Sequence, residues 1–254
     1  MIDTRQVVSR LQAIESLAII PRVSSTNELA RRVLDECIEN DLSLPQAMII
    51  AGEQFAGRGR NERQWSSPPG KGIYATIMLT RTTADLPVVP LDVANAVATY
   101  LRDTFALDAR IKWPNDIVAG GRKIAGILIE ARVQDTRAYL AIGVGINIEP
   151  FESDQRPNAV AVAQLQPRDY RGLDAATASF IDHLDRRLAR PPAHRAVIDE
   201  WRALSVHGDG DRITCVLPDR TIEGSWRGID EHGTALIESH GTITRVSAGD
   251  IITG

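Results

Sequence analysis

The sequence is poor in cysteine: Cys37 and Cys215 are the only two in 254 residues, far apart and without a CxxC pair. That spacing excludes a zinc ribbon and a disulfide framework, and leaves two buried thiols in a reducing cytoplasm as the expectation. Histidine is scarce as well. The five, at 183, 194, 207, 232 and 240, never fall at a metal-binding spacing, so no metal ligand set is legible and most are expected at the surface. Long apolar runs are missing. Nothing approaches the ~20 residues of a membrane span, and the opening MIDTRQVVSRLQAIESLAII lacks the apolar core and cleavage site of a secretory leader. Basic charge is not in excess, because 29 Lys and Arg against 33 Asp and Glu leave a net charge of −4. A protein that coats nucleic acid usually carries the opposite balance. Neither DNA nor a membrane is therefore an expected partner.

What is present suits a globular chain: 43% hydrophobic and 24% charged residues, enough for one sizeable core and a small accessory domain. Periodicity predicts a short leading helix over 3–16, a strand at LAIIPRV and a helix over 27–39 with Ala30, Val33, Leu34, Cys37 and Ile38 on one stripe. QAMIIAG and GIYATIMLT read as strands, and VVPLDVANAVATYLRDTF as a helix. ARIKWPNDIVA reads as one strand, followed by a GG turn, RKIAGILIEARV and AYLAIGVGINIE. PFESDQRPN is a polar loop, and residues 174–203 are helical with a break at RPP. From Val206 onward, short strands between Gly-Asp, Pro-Asp and His-Gly turns predict a small β-barrel. The expectation is an α+β fold with two domains, 1–204 and 205–254.

One stretch stands apart. GEQFAGRGRNERQWSSPPGKG, residues 52–72, holds five glycines, two prolines, three arginines and a lysine. It is no dinucleotide fingerprint, because Glu62 stands where the third glycine belongs, and no P-loop, because PGKGI lacks the Ser or Thr. Gly57 and Gly59 nevertheless free the backbone to turn and present N–H groups, while Arg58 and Arg60 supply planar donor forks suited to carboxylate or phosphate. A local basic loop on an acidic body points to a small anionic ligand, against the plainer reading of a solvated mobile loop.

Three other stretches carry chemistry. In SSTNELA, Ser25 and Glu28 have capping-box spacing, which leaves Thr26 and Asn27 unexplained unless they hold a polar ring such as a cyclic urea. In IKWPNDIVAGGRKIAGILIE, Lys112 sits in an apolar strand context, Asn115 and Asp116 close that strand, and Lys123 heads the next, where Gly126 allows close approach. Both lysines and the Asn-Asp pair could face one cavity; alternatively Lys112 and Asp116 form a structural ion pair. GVGIN ends a strand at Asn147, whose amide can read an adenine edge or serve an ordinary turn.

Taken together and in this order, SSTNELA, GEQFAGRGRNERQWSSPPGKGIY, KWPND, GRKIAGILIE and GVGIN resemble the biotin protein ligase family, and the tail around SWRGIDEHGTALIE resembles its C-terminal SH3-like barrel. The resemblance implies a mixed sheet with helices like that of class II aminoacyl-tRNA synthetases. It implies that biotin and Mg-ATP form biotinyl-5′-AMP, and that biotin then passes to a lysine of the biotin carboxyl carrier domain of acetyl-CoA carboxylase. By the same resemblance, Ser25, Thr26, Asn27 and Gln54 take the ureido ring, and Gly57, Arg58, Gly59 and Arg60 close over biotin and the phosphate. Lys123, beside Gly126, is the cation on carboxylate and phosphate. Trp65, Lys112, Asn115 and Asn147 belong to the ATP side. Asp116 is the candidate for orienting or deprotonating the acceptor lysine. Two departures stand out: Asn61-Glu62-Arg63 replaces the family's x-G-R, and about 20 residues precede the core, too few for the DNA-binding domain of bifunctional members. A lipoate-type acyl ligase and a non-catalytic biotin sensor are the alternatives, and a free sheet edge could pair two copies.

Overall fold

The computed structural model describes residues 10–151, 158–166, 171–190 and 193–253, with only the backbone of Glu62 and Thr253. The chain order is β1 Ser16–Ile20, α1 Thr26–Glu39, β2 Ala47–Ala51, β3 Gly72–Thr82, α2 Val89–Phe105, β4 Arg110–Lys112, β5 Asp116–Ala119, β6 Arg122–Gln134 and β7 Arg137–Asn147. A short α3 Val162–Leu165 follows, then α4 Leu173–Leu188 and α5 His194–Leu204. The tail adds β8 Arg212–Val216, β9 Thr221–Ile229, β10 Ala235–Ser239, β11 Thr242–Val246 and β12 Asp250–Thr253.

Strands β1 to β7 form a mixed sheet in the order β1-β2-β3-β7-β6-β5-β4, parallel only between β1 and β2. The tail forms an antiparallel sheet in the order β11-β10-β9-β8-β12. Alternation along the strands sorts the two faces of the large sheet. Ile73, Ala75, Ile77 and Leu79 of β3, with Ile142, Val144 and Ile146 of β7, pack with the buried residues of α2, α4 and α5. On the opposite face Tyr139 and Ala141 of β7, Met78 of β3 and Ile49 of β2 pack under Ala30 and Leu34 of α1. Full burial of a leucine such as Leu34 contributes roughly 2 kcal/mol. Continuing along that second face of β7, the helix ends and the residues become Gly143, Gly145 and Asn147, which line a cavity.

Several elements differ from the sequence expectations. Residues 10–15 form no helix, and residues 1–9 lie outside the described part. Their backbone is held instead by buried Asp185 of α4, which accepts the N–H groups of Gln12, Ala13 and Ile14 at 2.8–2.9 Å. ARIKWPNDIVA is two antiparallel strands joined by a turn at Trp113-Pro114-Asn115, whose Trp113–Pro114 bond is cis, and Asp116 opens β5 rather than ending β4. The Gly120-Gly121 turn has φ of 57° and 72°, the left-handed pair that a two-residue hairpin needs. Most of the 150–158 loop and part of the 190–192 break lie outside the described residues.

Candidate active site

The cavity occupies about 510 Å³ between the N-terminus of α1, the 57–65 loop and the glycine-bearing ends of β6 and β7. Its floor is a hydrogen-bonded network of neutral side chains. Ser25 caps α1 by accepting the Glu28 N–H. The capping box is only half made, since the Glu28 carboxylate turns to Ser24 Oγ at 2.7 Å and to Arg32, which together hold it below the usual carboxylate range. The amide N–H of Thr26 donates to Gln54 Oε1 at 2.8 Å, so the Gln54 amide nitrogen faces Ser67 Oγ at 2.8 Å. At the other end, Asn27 Nδ2 donates to Leu128 C=O at 3.2 Å and Glu130 Oε2 at 3.1 Å, which leaves its Oδ1 to accept from Thr76 at 2.7 Å.

Glycines make the shelf above this floor. A Cβ on Gly143 would stand 2.2 Å from Asn27 Oδ1, and one on Gly145 2.4 Å from the Trp65 indole. Gly126 lies opposite Gly145 in the β6–β7 register and meets the same indole. These glycines are required by close approach; none needs a left-handed φ. Lys123 reaches the same face through an irregularity. Ile117 pairs with Ala125 but Val118 pairs with Lys123, so Ile124 is an extra residue in β6. Without that bulge, Lys123 and Gly126, three apart, would point to opposite faces. With it, Lys123 Nζ sits 5.3 Å from the Trp65 ring centroid and 2.5 Å from Asp116 Oδ1. The backbone of Lys123 is clamped by Asn158 C=O and by the Val160 N–H.

Charge gathers at this end. Arg58, Arg60, Arg63 and Lys123 line the cavity against two carboxylates, Asp116 and Asp250. The 57–65 loop is a small hydrogen-bonded hairpin: Trp65 N–H donates to Gly57 C=O at 2.8 Å and Gly59 N–H to Arg63 C=O at 2.7 Å. Its left-handed residue is Asn61, at φ 52°, a conformation asparagine tolerates. Arg60 donates to Asn115 Oδ1 at 3.0 Å and to Gly249 C=O at 3.4 Å. Asn115 is oriented in turn by donating to Ile127 C=O at 2.7 Å. Arg63 pairs with Asp250.

The sequence model of the Biotin/lipoate A/B protein ligase family matches residues 19–147. The chain belongs to that family. It is 28% identical over 254 residues to a biotin–[acetyl-CoA-carboxylase] ligase of Mycobacterium tuberculosis, covering 93% of this chain and 88% of that one. It is 29% identical over 259 residues to the bifunctional ligase/repressor BirA of Escherichia coli, covering 99% and 78%. The biotin protein ligase of Aquifex aeolicus, solved with biotin and ATP, superposes with a TM-score of 0.75 at 21% identity over 94% of this chain and 98% of that one. The last comparison speaks to the fold, and the α+β architecture with its small β tail is that of a biotin protein ligase.

Of the residues singled out in this family member's sequence, Ser25, Thr26, Asn27, Gln54, Arg58, Gly59, Arg60, Trp65, Asn115, Asp116, Lys123, Gly126 and Asn147 all line the cavity. Two do not. Gly57 lies beneath the loop, where a Cβ would meet the Trp65 carbonyl at 2.3 Å. Lys112 lies on β4, and its charge acts on buried His207 at the base of the tail. The supposed Lys112–Asp116 ion pair is replaced by Lys123–Asp116. Asn147 is buried and donates to Val160 C=O at 3.2 Å. Sequence reading missed Gly143 and Gly145 as shelf residues, although GVGIN contains both, and missed Asp250 and Asn158, which reach the site only through tertiary folding. Among the described residues no group of three His, Cys, Asp or Glu is arranged to hold a metal.

Proposed function

We propose that the chain activates biotin with ATP and transfers it to a lysine of a biotin carboxyl carrier domain, in keeping with its similarity to two biotin–[acetyl-CoA-carboxylase] ligases. The observation that carries this reading is the polarity of one continuous cavity: neutral donors and acceptors at one end, four cations at the other, and a glycine shelf between them. Biotin has that polarity, a cyclic urea joined by an apolar chain to a carboxylate. A lipoyl group would offer the floor neither an N–H nor a carbonyl, which favours biotin over the family's other acid.

In the first step a biotin carboxylate oxygen attacks the α-phosphorus of ATP; a P–O bond forms and pyrophosphate leaves. Nucleophile and target are both anions, repelling by about 1 kcal/mol at 4 Å in water and by several kcal/mol at lower effective dielectric. Arg58, Arg60 and Lys123 offset this, with Arg60 held in place by Asn115 before any ligand arrives. Trp65, Asn115 and Asn147 are proposed to line the nucleotide. The hairpin of 57–65 covers the mixed anhydride from water. In the second step a neutral lysine amine attacks the acyl carbon, an amide forms, AMP leaves, and Asp116 is proposed to take or orient the amine proton. Asp116 and Asp250 are the wall carboxylates, both ion-paired. Magnesium would therefore be held chiefly by the nucleotide's phosphates and water, with Asp116 beside Lys123 as the wall carboxylate that would join them, and would supply charge neutralisation.

The catalytic domain is assigned to residues 1–204, ending with α5, and the barrel to 205–254, with Asp250 of the barrel reaching the cavity wall. The cytoplasm is the proposed location, in keeping with the free, buried Cys37 and Cys215. The test is incubation with ATP and either biotin or lipoate, followed by hydroxylamine trapping. Biotinyl hydroxamate alone is expected; lipoyl hydroxamate, or none with binding retained, would overturn the reading in favour of a lipoate-type ligase or a sensor.

A further inference from the structure

Strand β6 does not take all of its backbone partners from β5 and β7. The β6–β7 register begins at Ala125 opposite Ile146, and Lys123, two residues earlier, is bonded instead to the short segment 158–160. The Lys123 N–H donates to Asn158 C=O at 2.8 Å, and its C=O accepts the Val160 N–H at 2.9 Å, the pattern of a parallel bridge to Ala159. Lys123 also stands immediately before the Ile124 bulge, where the pairing with β5 is locally interrupted. Its backbone therefore depends on how firmly 158–160 is held. One side chain of the sheet holds it. Asn147, the last residue of β7, is buried and donates from Nδ2 to Val160 C=O at 3.2 Å. The backbone of Asn147 is in turn fixed by its place opposite Gly72 of β3. The two backbone groups of Val160 thus face two strands: its C=O takes the Asn147 amide and its N–H takes Lys123.

We infer that Asn147 is a positioning residue for adenylation: by holding Val160 it holds the backbone from which Lys123 reaches Asp116 and the Trp65 ring. This task is separate from lining the nucleotide. A contact with the base acts on nucleotide binding, whereas the tie to Val160 acts on where Lys123 stands, and so on the rate once both substrates are bound. Without the amide, the Val160 carbonyl is left in buried surroundings with its donor gone. The segment then relieves that cost by shifting, and the partners of Lys123 shift with it. The inference rests on the proposed role of Lys123 and adds a residue that acts on the reaction through another.

The test uses the full chain with Asn147→Ala, read in two ways. Amide hydrogen exchange without substrates should be faster at Val160 and Lys123, and unchanged at Ala141 in the middle of β7. Biotin-dependent pyrophosphate exchange at saturating substrates should fall roughly tenfold in kcat, with the KM for biotin little changed. In a Lys123→Ala background the same substitution should lower the residual rate hardly at all, because the two residues act as a unit. A wild-type kcat with only the KM for ATP raised marks a base contact alone and overturns the inference. Unchanged exchange at both amides, or a further loss of about the same factor in the Lys123→Ala background, overturns it as well. If Asn147→Ala does not fold, Asn147→Ser, too short to reach Val160, is held to the same outcomes. A wild type that makes no biotinyl-AMP refutes the functional proposal instead, while the amide exchange, read without substrates, still reports the tie, which keeps the two failures apart.

Discussion

At the scale of single residues, the site is built as much from missing side chains as from present ones. Gly145 and Gly126 are opposite each other across two strands, and the Trp65 indole lies on both. A side chain at Gly145 has 2.4–2.7 Å to the indole atoms and no route around them, so Trp65 must move. Gly145→Val is expected to lower biotin and ATP affinity together by at least tenfold while changing the melting temperature little, because the strand itself accommodates valine. Calorimetry giving unchanged affinity for both would contradict the role of the shelf. Lys123 illustrates what residue-level reading captures and what it misses. Its chemistry was legible as a cation heading an apolar strand, but Lys112 had the same credentials and faces elsewhere. The difference is one extra residue at Ile124, which has no periodic signature.

At the scale of elements, local patterning carried far. The stripe of α1, the alternation of β3 and β7 and the double-glycine hairpin follow from periods of 3.6 and 2 and from turn chemistry, and each appears within a residue or two. The division of ARIKWPNDIVA was missed although Pro114, Asn115 and Asp116 are turn-forming residues, because the apolar flanks around Ile111 and Ile117 read as one run. The 57–65 segment carries three of the four cations that line the cavity, Arg58, Arg60 and Arg63. It is composed like a loop but holds itself together by three backbone hydrogen bonds and is tied to the turn before β5 through Arg60 and Asn115. Removing that tie should loosen the cover while leaving the cations of Lys123 and Arg58. Arg60→Gly is therefore expected to release biotinyl-AMP and to label bystander lysines on added proteins. Strict labelling of the carrier domain alone would contradict the covering role.

At the scale of the whole molecule, the β tail is part of the site rather than an appendage. Asp250 and the Gly249 carbonyl meet Arg63 and Arg60 from almost 190 residues away, a contact no local reading could supply. The tail is seated by Trp113 Nε1 donating to Gly233 C=O at 3.1 Å, by Arg202 donating to Ile229 C=O at 2.7 Å, and by Val206 N–H donating to Ile111 C=O at 2.9 Å. His207 lies in this seam, buried against Trp226 with ring centroids 5.0 Å apart. Burial, and secondarily the charge of Lys112, push its pKa down to about 4 from the ordinary 6.5. The folded state thus binds fewer protons than the unfolded one between those values. The neutral ring favours the fold above pH 6.5, and this contribution, up to about 3 kcal/mol, is lost as the pH falls toward 4. Wild type should lose more stability between pH 7 and 4.5 than His207→Phe, read as the shift in urea midpoint; equal shifts would contradict the assignment.

All three scales converge on the claim that fixed cations, brought together by a bulged strand and a covering hairpin, allow a carboxylate to attack a phosphate. The most direct test is biotin-dependent ATP–pyrophosphate exchange by Lys123→Ala beside the wild type, with biotin binding measured in parallel. The account predicts a loss of exchange on the order of 100-fold or more at saturating substrates, roughly the worth of one preorganised charge in a transition state. Exchange at the wild-type rate would contradict it.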